Sequence, residues 1–348
     1  MSLIGRHNSQ LIVNRDRAVL AKATQYLRGK GPTYWFDFMS GESYFNGKFV
    51  GPTSSAPGFS HTRASVGTAE NSNGDIIQFA SGARRQTDKG WLVEPTRENL
   101  FLNSAVGVTQ NITVTAVAHT LSFRGTGTIT LSGASTAGPL VGTGVNNTVL
   151  LAFTPSAGTL TLTVSGSVTN VQLEIGGGAS SWIPTAGASV IRAADEQFIP
   201  VSGISFPVSL WAEFERRSDA GAGECILQLD NGAADENVSI RVNSSDFANA
   251  VMVTGAVVQA SPTSTPTTVP LATVTKIAGR FNTNSVHGSL NGALYSAEDT
   301  LGSLPVTPSF IRFGYRAGAN VPFCGYLRRL AIFDSALSNA DLQSITTL

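Results

Sequence analysis

The chain has 348 residues, enough for two or three domains at ~100–150 residues each. Its formal net charge is zero and charged residues make up 13%, about half the usual ~25%. Neither nucleic acid nor an acidic membrane surface is expected as a partner, and no apolar run approaches the ~18 residues of a membrane span.

The first ten residues, MSLIGRHNSQ, lack the apolar core of a secretory signal. The chain is therefore expected to stay in the cytoplasm where it is made until lysis or a dedicated machine releases it. Residues 10–28 carry the only long helical pattern: Val19, Leu20, Ala23, Tyr26 and Leu27 share a face, and Gly29 stops the run. Arg15, Arg17, Lys22, Arg28 and Lys30 make it the most basic segment. It reads either as a surface helix packed on its own domain or as an attachment segment that docks into a larger assembly. From Pro32 onward aromatic residues crowd together, from Tyr34, Trp35 and Phe36 to Phe49, with a hairpin signal at Asn46-Gly47.

Residues 58–104 contain a second turn at Asn73-Gly74, followed by Ile76, Ile77 and Phe79. Here Phe59, Arg63, Ala64, Ser65, Asn73, Gly74, Leu92, Val93, Glu94, Arg97, Asn99, Leu100, Asn103 and Ser104 occur in order. The string resembles a module of tailed-bacteriophage structural proteins, "F-x-R-A-S … D-x-x-G … L-x-V-E-x-x-R-x-N-L-x-x-N-S", found in tail fibres and head spikes. Glu98 departs from it, since a small or neutral residue is more usual there. From the residues themselves, Glu94 to Arg97 reads as a turn held by a Glu–Arg ion pair, with no catalytic role.

Residues 106–196 alternate apolar and polar side chains in short runs: Leu121/Phe123, Ile129/Leu131, Val149/Leu151/Phe153, Leu160/Leu162/Val164 and Val171/Leu173/Ile175. Such spacing, with glycine turns, means an antiparallel sandwich. The closing strings at Val168–Glu174 and Ser181–Thr185 resemble the jelly-roll carbohydrate-binding modules of phage fibres. Trp182 is either a sugar platform or a plug at the sandwich end. Residues 189–200 read as a linker.

The C-terminal part opens with Val208 to Phe214, turns at Asp230-Asn231-Gly232, makes a polar excursion at Ala260–Pro270, and forms a long hairpin over Val274–Leu290. Ile311, Phe313 and Tyr315 are assigned one strand face, and Arg312 and Arg316 the other. The closing stretch GYLRRLAIFDSALSNADLQSI is a strand, a break at Asp334-Ser335, and a short helix with a capping-box start at Ser338 and Asp341. It resembles the end of concanavalin A-like and laminin G-like lectin folds, "G-x-L-x-x-L-x-I-F-x-x-A-L-S-x-x-D".

The expected architecture is all-β: a helical attachment segment (1–31), a small β-rich module (32–105), a jelly-roll-like sandwich (106–196) and a concanavalin A-like lectin domain (197–348). Glucanases on this fold carry alternating carboxylates on one strand. The nearest match, Glu213 and Glu215 on what reads as an exposed strand edge, lacks the third and is followed by Arg216-Arg217, so no catalytic residue is assigned. His7, His61, His119 and His287 are scattered, giving no zinc pattern. Asp230, Asn231, Asp235, Glu236 and Asn237 read as a calcium loop or as a solvated hairpin. No cofactor is expected. Cys225 and Cys324 are expected close in space, as a disulfide or as two buried thiols. Candidate sugar contacts are Arg312, Arg316, Asp230, Asn231, Asn282 and Trp182. The resemblances together imply a virion fibre, spike or capsid-decorating protein, trimeric, joined to other virion proteins through its N-terminal region and binding host polysaccharide. A decoration protein without glycan binding is the alternative, and a depolymerase the third reading.

Overall fold

The computed structural model describes residues 17–18, 21–27, 29–45, 48–51, 58–218, 223–318 and 323–347. Their regular secondary structure is nearly all strand, as the turn-punctuated alternation implies. Of them, one compact unit takes those within Met1–His61, Glu196–Arg216 and Ala222–Leu348. The other takes those within Thr62–Asp195 and Arg217–Gly221.

The first unit is a sandwich of two antiparallel sheets. One sheet runs in the order Ala293–Leu294, Ser285–Leu290, Val274–Asn282, Val208–Arg216, Gly325–Phe333, Tyr34–Asp37, Glu42–Phe45 and Lys48–Gly51. Tyr34–Asp37 pairs with the closing strand, Trp35 opposite Ala331 and Phe36 opposite Leu330. The aromatic-rich start of the expected 32–105 module therefore belongs to the lectin-like sandwich. The reason is packing: Phe36 and Phe38 meet Phe313 edge-on at 5.1 and 6.1 Å, completing the core between the sheets. Asn46-Gly47 lies outside the described residues, and the strands flanking it pair antiparallel.

The facing sheet runs Val257–Ala260, Phe247–Thr254, Asn237–Val242, Glu224–Asp230, Phe310–Phe313 and Glu196–Pro200. The polar excursion contains a strand of its own, Thr263–Thr268, on Phe247–Thr254. Close approach of the sheets explains Gly279: a Cβ there would stand 2.9 Å from Ile240 Cγ2.

Val208–Arg216 is central and buried on both faces, because helices cover its outer side. Trp211 stacks on Trp35 with ring centres 6.0 Å apart. Its indole nitrogen donates to the Ile345 carbonyl at 3.0 Å. Ala23 of the first helix, Leu27 in the turn after it, and Leu342 and Ile345 of the C-terminal helix Asn339–Thr346 close over the pair. Helical residues 21–26 thus pack on their own unit. Val19, Leu20, Arg15 and Arg28 of the expected pattern lie outside the described residues. Ser338 caps the C-terminal helix, its hydroxyl accepting from Asp341 N while the Asp341 carboxylate accepts from Ser338 N.

The second unit contains the middle sandwich. Gln110–Val114, Gly158–Ser165, Thr128–Gly133 and Leu140–Val141 form one sheet, and Gly144–Phe153, His119–Gly125 and Val168–Ile175 the other. Leu121, Phe123, Ile129, Leu131, Leu160, Leu162, Val171 and Leu173 fill its core. Ile175, expected in that row, ends its strand 51% exposed.

Candidate functional site

A cleft of about 450 Å³ lies on the first unit, lined by Glu196, Phe198, Gly232, Arg312, Tyr315 and Arg316 among others. Three adjacent strands build it. Arg312 sits opposite Phe198 on one side and Gln228 on the other. Its Nε and one terminal nitrogen donate to the two carboxylate oxygens of Asp230 at 2.7 and 3.1 Å. The remaining terminal nitrogen donates to the Tyr315 hydroxyl at 2.7 Å. The rings of Phe198, Phe310 and Tyr315 surround the guanidinium at 5.3–5.5 Å. Burial works against the Arg312 charge, but the hydrogen bond and charge of Asp230 outweigh it and hold the pKa above its ordinary value. Burial likewise raises the Tyr315 hydroxyl. A locked guanidinium among aromatic faces, with an exposed carboxylate at Glu196, offers both ring stacking and hydroxyl partners.

The structure brings Asp230, Arg312 and Arg316 together and leaves the other candidates elsewhere. Asn231 accepts from Ala233 N at 3.0 Å within its own turn. Asn282 is at the end of a strand of the opposite sheet and accepts from Thr283 N at 2.9 Å. Trp182 belongs to the second unit, is half-buried, and its carbonyl accepts from Thr68 Oγ1 at 2.5 Å. Tyr315 was expected on the face opposite Arg312 but shares the cleft with it. Gly314, at φ 70°, breaks the strand alternation just before it. Glu196 and Phe198 were hidden in a presumed linker. Their signal was the alternation with buried Gln197 and Ile199.

The calcium-loop oxygens go to separate partners. Asp230 holds Arg312, and Glu236 accepts from Gly255 N at 2.7 Å and Val306 N at 3.0 Å. Asn237 accepts from Arg241 at 3.0 Å. Among the described residues no three His, Cys, Asp or Glu side chains are placed to hold a metal ion. His7 lies outside the described residues. Cys225 and Cys324 are buried free thiols. Burial pushes Cys225 up to about 11. Glu213, expected on an exposed strand edge, is 3% exposed and central. It accepts from Arg328 Nε at 3.0 Å and from Arg329 at 2.9 Å.

The densest charge cluster is sealed inside the second unit. Arg63, Arg85, Glu94, Arg192 and Asp195 have fully buried side chains. Arg63 reaches Asp195 at 3.0 Å, Arg85 bridges Asp195 and Glu94, and Arg192 meets Glu94 at 2.8 Å. Ser181 donates to Glu94 through both its amide and its hydroxyl, at 2.7 and 2.6 Å. Burial alone would raise the Glu94 carboxyl; Arg192 and Arg85 hold it well below the usual range. The Glu94–Arg97 pairing expected from sequence is not made: Arg97 faces Glu174 at 3.6 Å. Asn99 donates to the Val171 and Ile183 carbonyls and accepts from Phe101 N and Leu173 N. These residues of the ordered 59–104 string tie loops together.

Residues 185–343 match the model of the Concanavalin A-like lectin/glucanases superfamily. That C-terminal region is a concanavalin A-like, laminin G-like domain. No curated protein matches the chain. Among solved structures, the Ruminococcus gnavus IT-sialidase CBM40 bound to α2,3-sialyllactose is 13% identical at TM-score 0.35, over 41% of this chain and 83% of that one. The Streptococcus pneumoniae NanB sialidase is 14% identical at TM-score 0.35, over 43% of this chain and 26% of that one. The Limulus polyphemus SAP-like pentraxin is 11% identical at TM-score 0.31, over 39% of this chain and 68% of that one.

Proposed function

We propose that the chain is a phage virion appendage that binds host-surface glycan through the Arg312 cleft and catalyses nothing. The observation that carries the reading is the cleft itself: a cation fixed by Asp230 and Tyr315 among Phe198, Phe310 and Tyr315, open to solvent beside Glu196. Membership of the lectin/glucanase superfamily in this region supports a binding role. The ordered string from Phe59 to Ser104 supports the virion context, and with it assembly as a trimer, attachment through the N-terminal region, and release by lysis. Against hydrolysis stands Glu213, buried between two arginines rather than presented to a substrate.

A single cleft of this kind binds at about millimolar, or roughly −4 kcal/mol, and three linked copies raise that by about two to four orders of magnitude. The test is a glycan array and a host-adsorption assay with the full chain, alongside light scattering. Binding that Arg312→Ala abolishes supports the reading. Absence of binding to any host polysaccharide favours a decoration role. Depolymerised capsule, with activity lost in Glu213→Gln, overturns the binding-only reading.

A further inference from the structure

A second cleft, of about 320 Å³, opens beside the first and is lined by Arg241, Asn243, Ser244, Asn249 and Arg316, with no carboxylate. Arg316 lines both clefts. The two arginines differ in their partners from five others of this unit. Arg312, Arg280, Arg216, Arg328 and Arg329 each meet a carboxylate. Arg241 instead donates to neutral oxygens, Ser239 Oγ at 2.6 Å and Asn237 Oδ1 at 3.0 Å. The buried Nε of Arg316 has no hydrogen-bond partner, and no described carboxylate forms an ion pair with either side chain. Both are half-buried, so neither charge is fully hydrated. Burial lowers the Arg241 pKa; Cys225 works against that shift and the Arg316 charge adds to it.

Among the described residues, two guanidiniums gather at a cleft whose lining holds no carboxylate, a repulsion that an anion relieves. Each presents a planar fork that matches a carboxylate better than a point charge does. We propose that the Arg241–Arg316 cleft takes the carboxylate of an acidic sugar residue. This rests on the glycan-binding reading above and sharpens it: the Arg312 cleft holds a neighbouring ring, and Arg316 makes the polymer's acidity a condition of recognition.

The test uses the full chain in titration calorimetry against fragments of polygalacturonate, alginate and hyaluronate, each beside its carboxyl-reduced counterpart, with a sulfated galactan fragment as a further arm. At least one acidic fragment is expected to bind at least tenfold more tightly than its reduced form, and to weaken as sodium chloride is raised. Arg316→Gln and Arg241→Gln should each cost that fragment roughly tenfold or more. Arg316→Lys should keep the salt dependence, and thermal unfolding of each variant controls for folding. Equal binding of acidic and reduced fragments, unaffected by Arg316→Gln, overturns the proposal and leaves glycan binding standing. Binding of the sulfated fragment alone also overturns it. Failure of every fragment, acidic, reduced and sulfated, overturns it together with the reading on which it rests.

Discussion

The two units use the same residue types to opposite ends. In the second, three arginines and two carboxylates are fully buried, and backbone and hydroxyl groups take up most of the remaining contacts, leaving the Arg85 Nε without a hydrogen-bond partner. All five side chains are closed off from solvent and so from a ligand. In the first, the Arg312–Asp230 pair keeps its cation 11% exposed, and two further arginines near it lack an acidic partner among the described residues. A buried ion pair is weak evidence for stability, because desolvation offsets much of the attraction. What separates structure from recognition here is the remainder: a closed set of partners fixes a fold, and an open set leaves a surface that something else must complete.

The largest expected effect tests the closed set. Glu94→Gln leaves Arg85 and Arg192 facing a neutral amide in a sealed interior, and should cost about 3–5 kcal/mol of the second unit's stability. Calorimetric unfolding measures it. The pH dependence has a definite sign. Since the folded Glu94 pKa is depressed, its contribution is complete above the unfolded carboxylate range and is lost progressively as pH falls below that range toward the folded value. Glu174, raised by burial, opposes this, because its contribution is lost as pH rises. Lowering the pH from about 6 to about 3 should therefore lower the unfolding temperature, and Glu94→Gln should remove most of the Glu94 share. A Glu94→Gln protein that unfolds like the parent would break the comparison, since the cluster would then not hold the unit.

Much of the fold was legible because alternation survives single-sequence reading. The rows through Leu173, Leu162 and Phe123 carry the period-two pattern of the sandwich, and Ser338 and Asp341 carry their own capping signature. What was not legible is long-range. Nothing near Trp35 in sequence announces Ala331 opposite it, and Glu94 lies 101 residues from Asp195, which accepts from its amide. The cleft was half legible for the same reason. Arg312 and Asp230 stood out as polar residues in apolar strands. Phe198 sat in a segment that looked like a linker until pairing with Phe310–Phe313 placed it.

The open set is tested next, with a smaller effect on stability and a larger one on binding. Asp230→Asn removes the charge that orients Arg312 while nearly keeping the shape. It should cost about 2 kcal/mol of stability, the scale of a hydrogen bond to a charged group. Glycan binding should fall roughly tenfold or more, because Arg312 would no longer be held among its three rings. A loss of stability with unchanged binding would make the pair structural, like those of the second unit, and erase the contrast between the two.

The smallest expected effect falls on the helical cover of the first unit, away from either charge cluster. Ser338→Ala deletes the hydroxyl that accepts from Asp341 N at 3.2 Å and unpairs the capping box. The helix it starts is only Asn339–Thr346, too short to persist without its packing, so its stability is shared with the apolar layer beneath. Leu342 and Ile345 still bury against Trp211, and Lys30 still pairs with Asp341 at 2.6 Å. The cost should therefore stay near that of one cap, about 1 kcal/mol, and Ser338→Thr should recover most of it. Glycan binding should not change, since the helix packs on Val274–Asn282 and Ser285–Leu290 and over Trp211, while the cleft is built on the facing sheet. Thermal unfolding and the same calorimetric titration read both quantities on one sample. A drop in affinity in Ser338→Ala would mean that the cover over Trp211 governs the cleft through the core. Recognition would then depend on the whole sandwich rather than on the groups Arg312 leaves open.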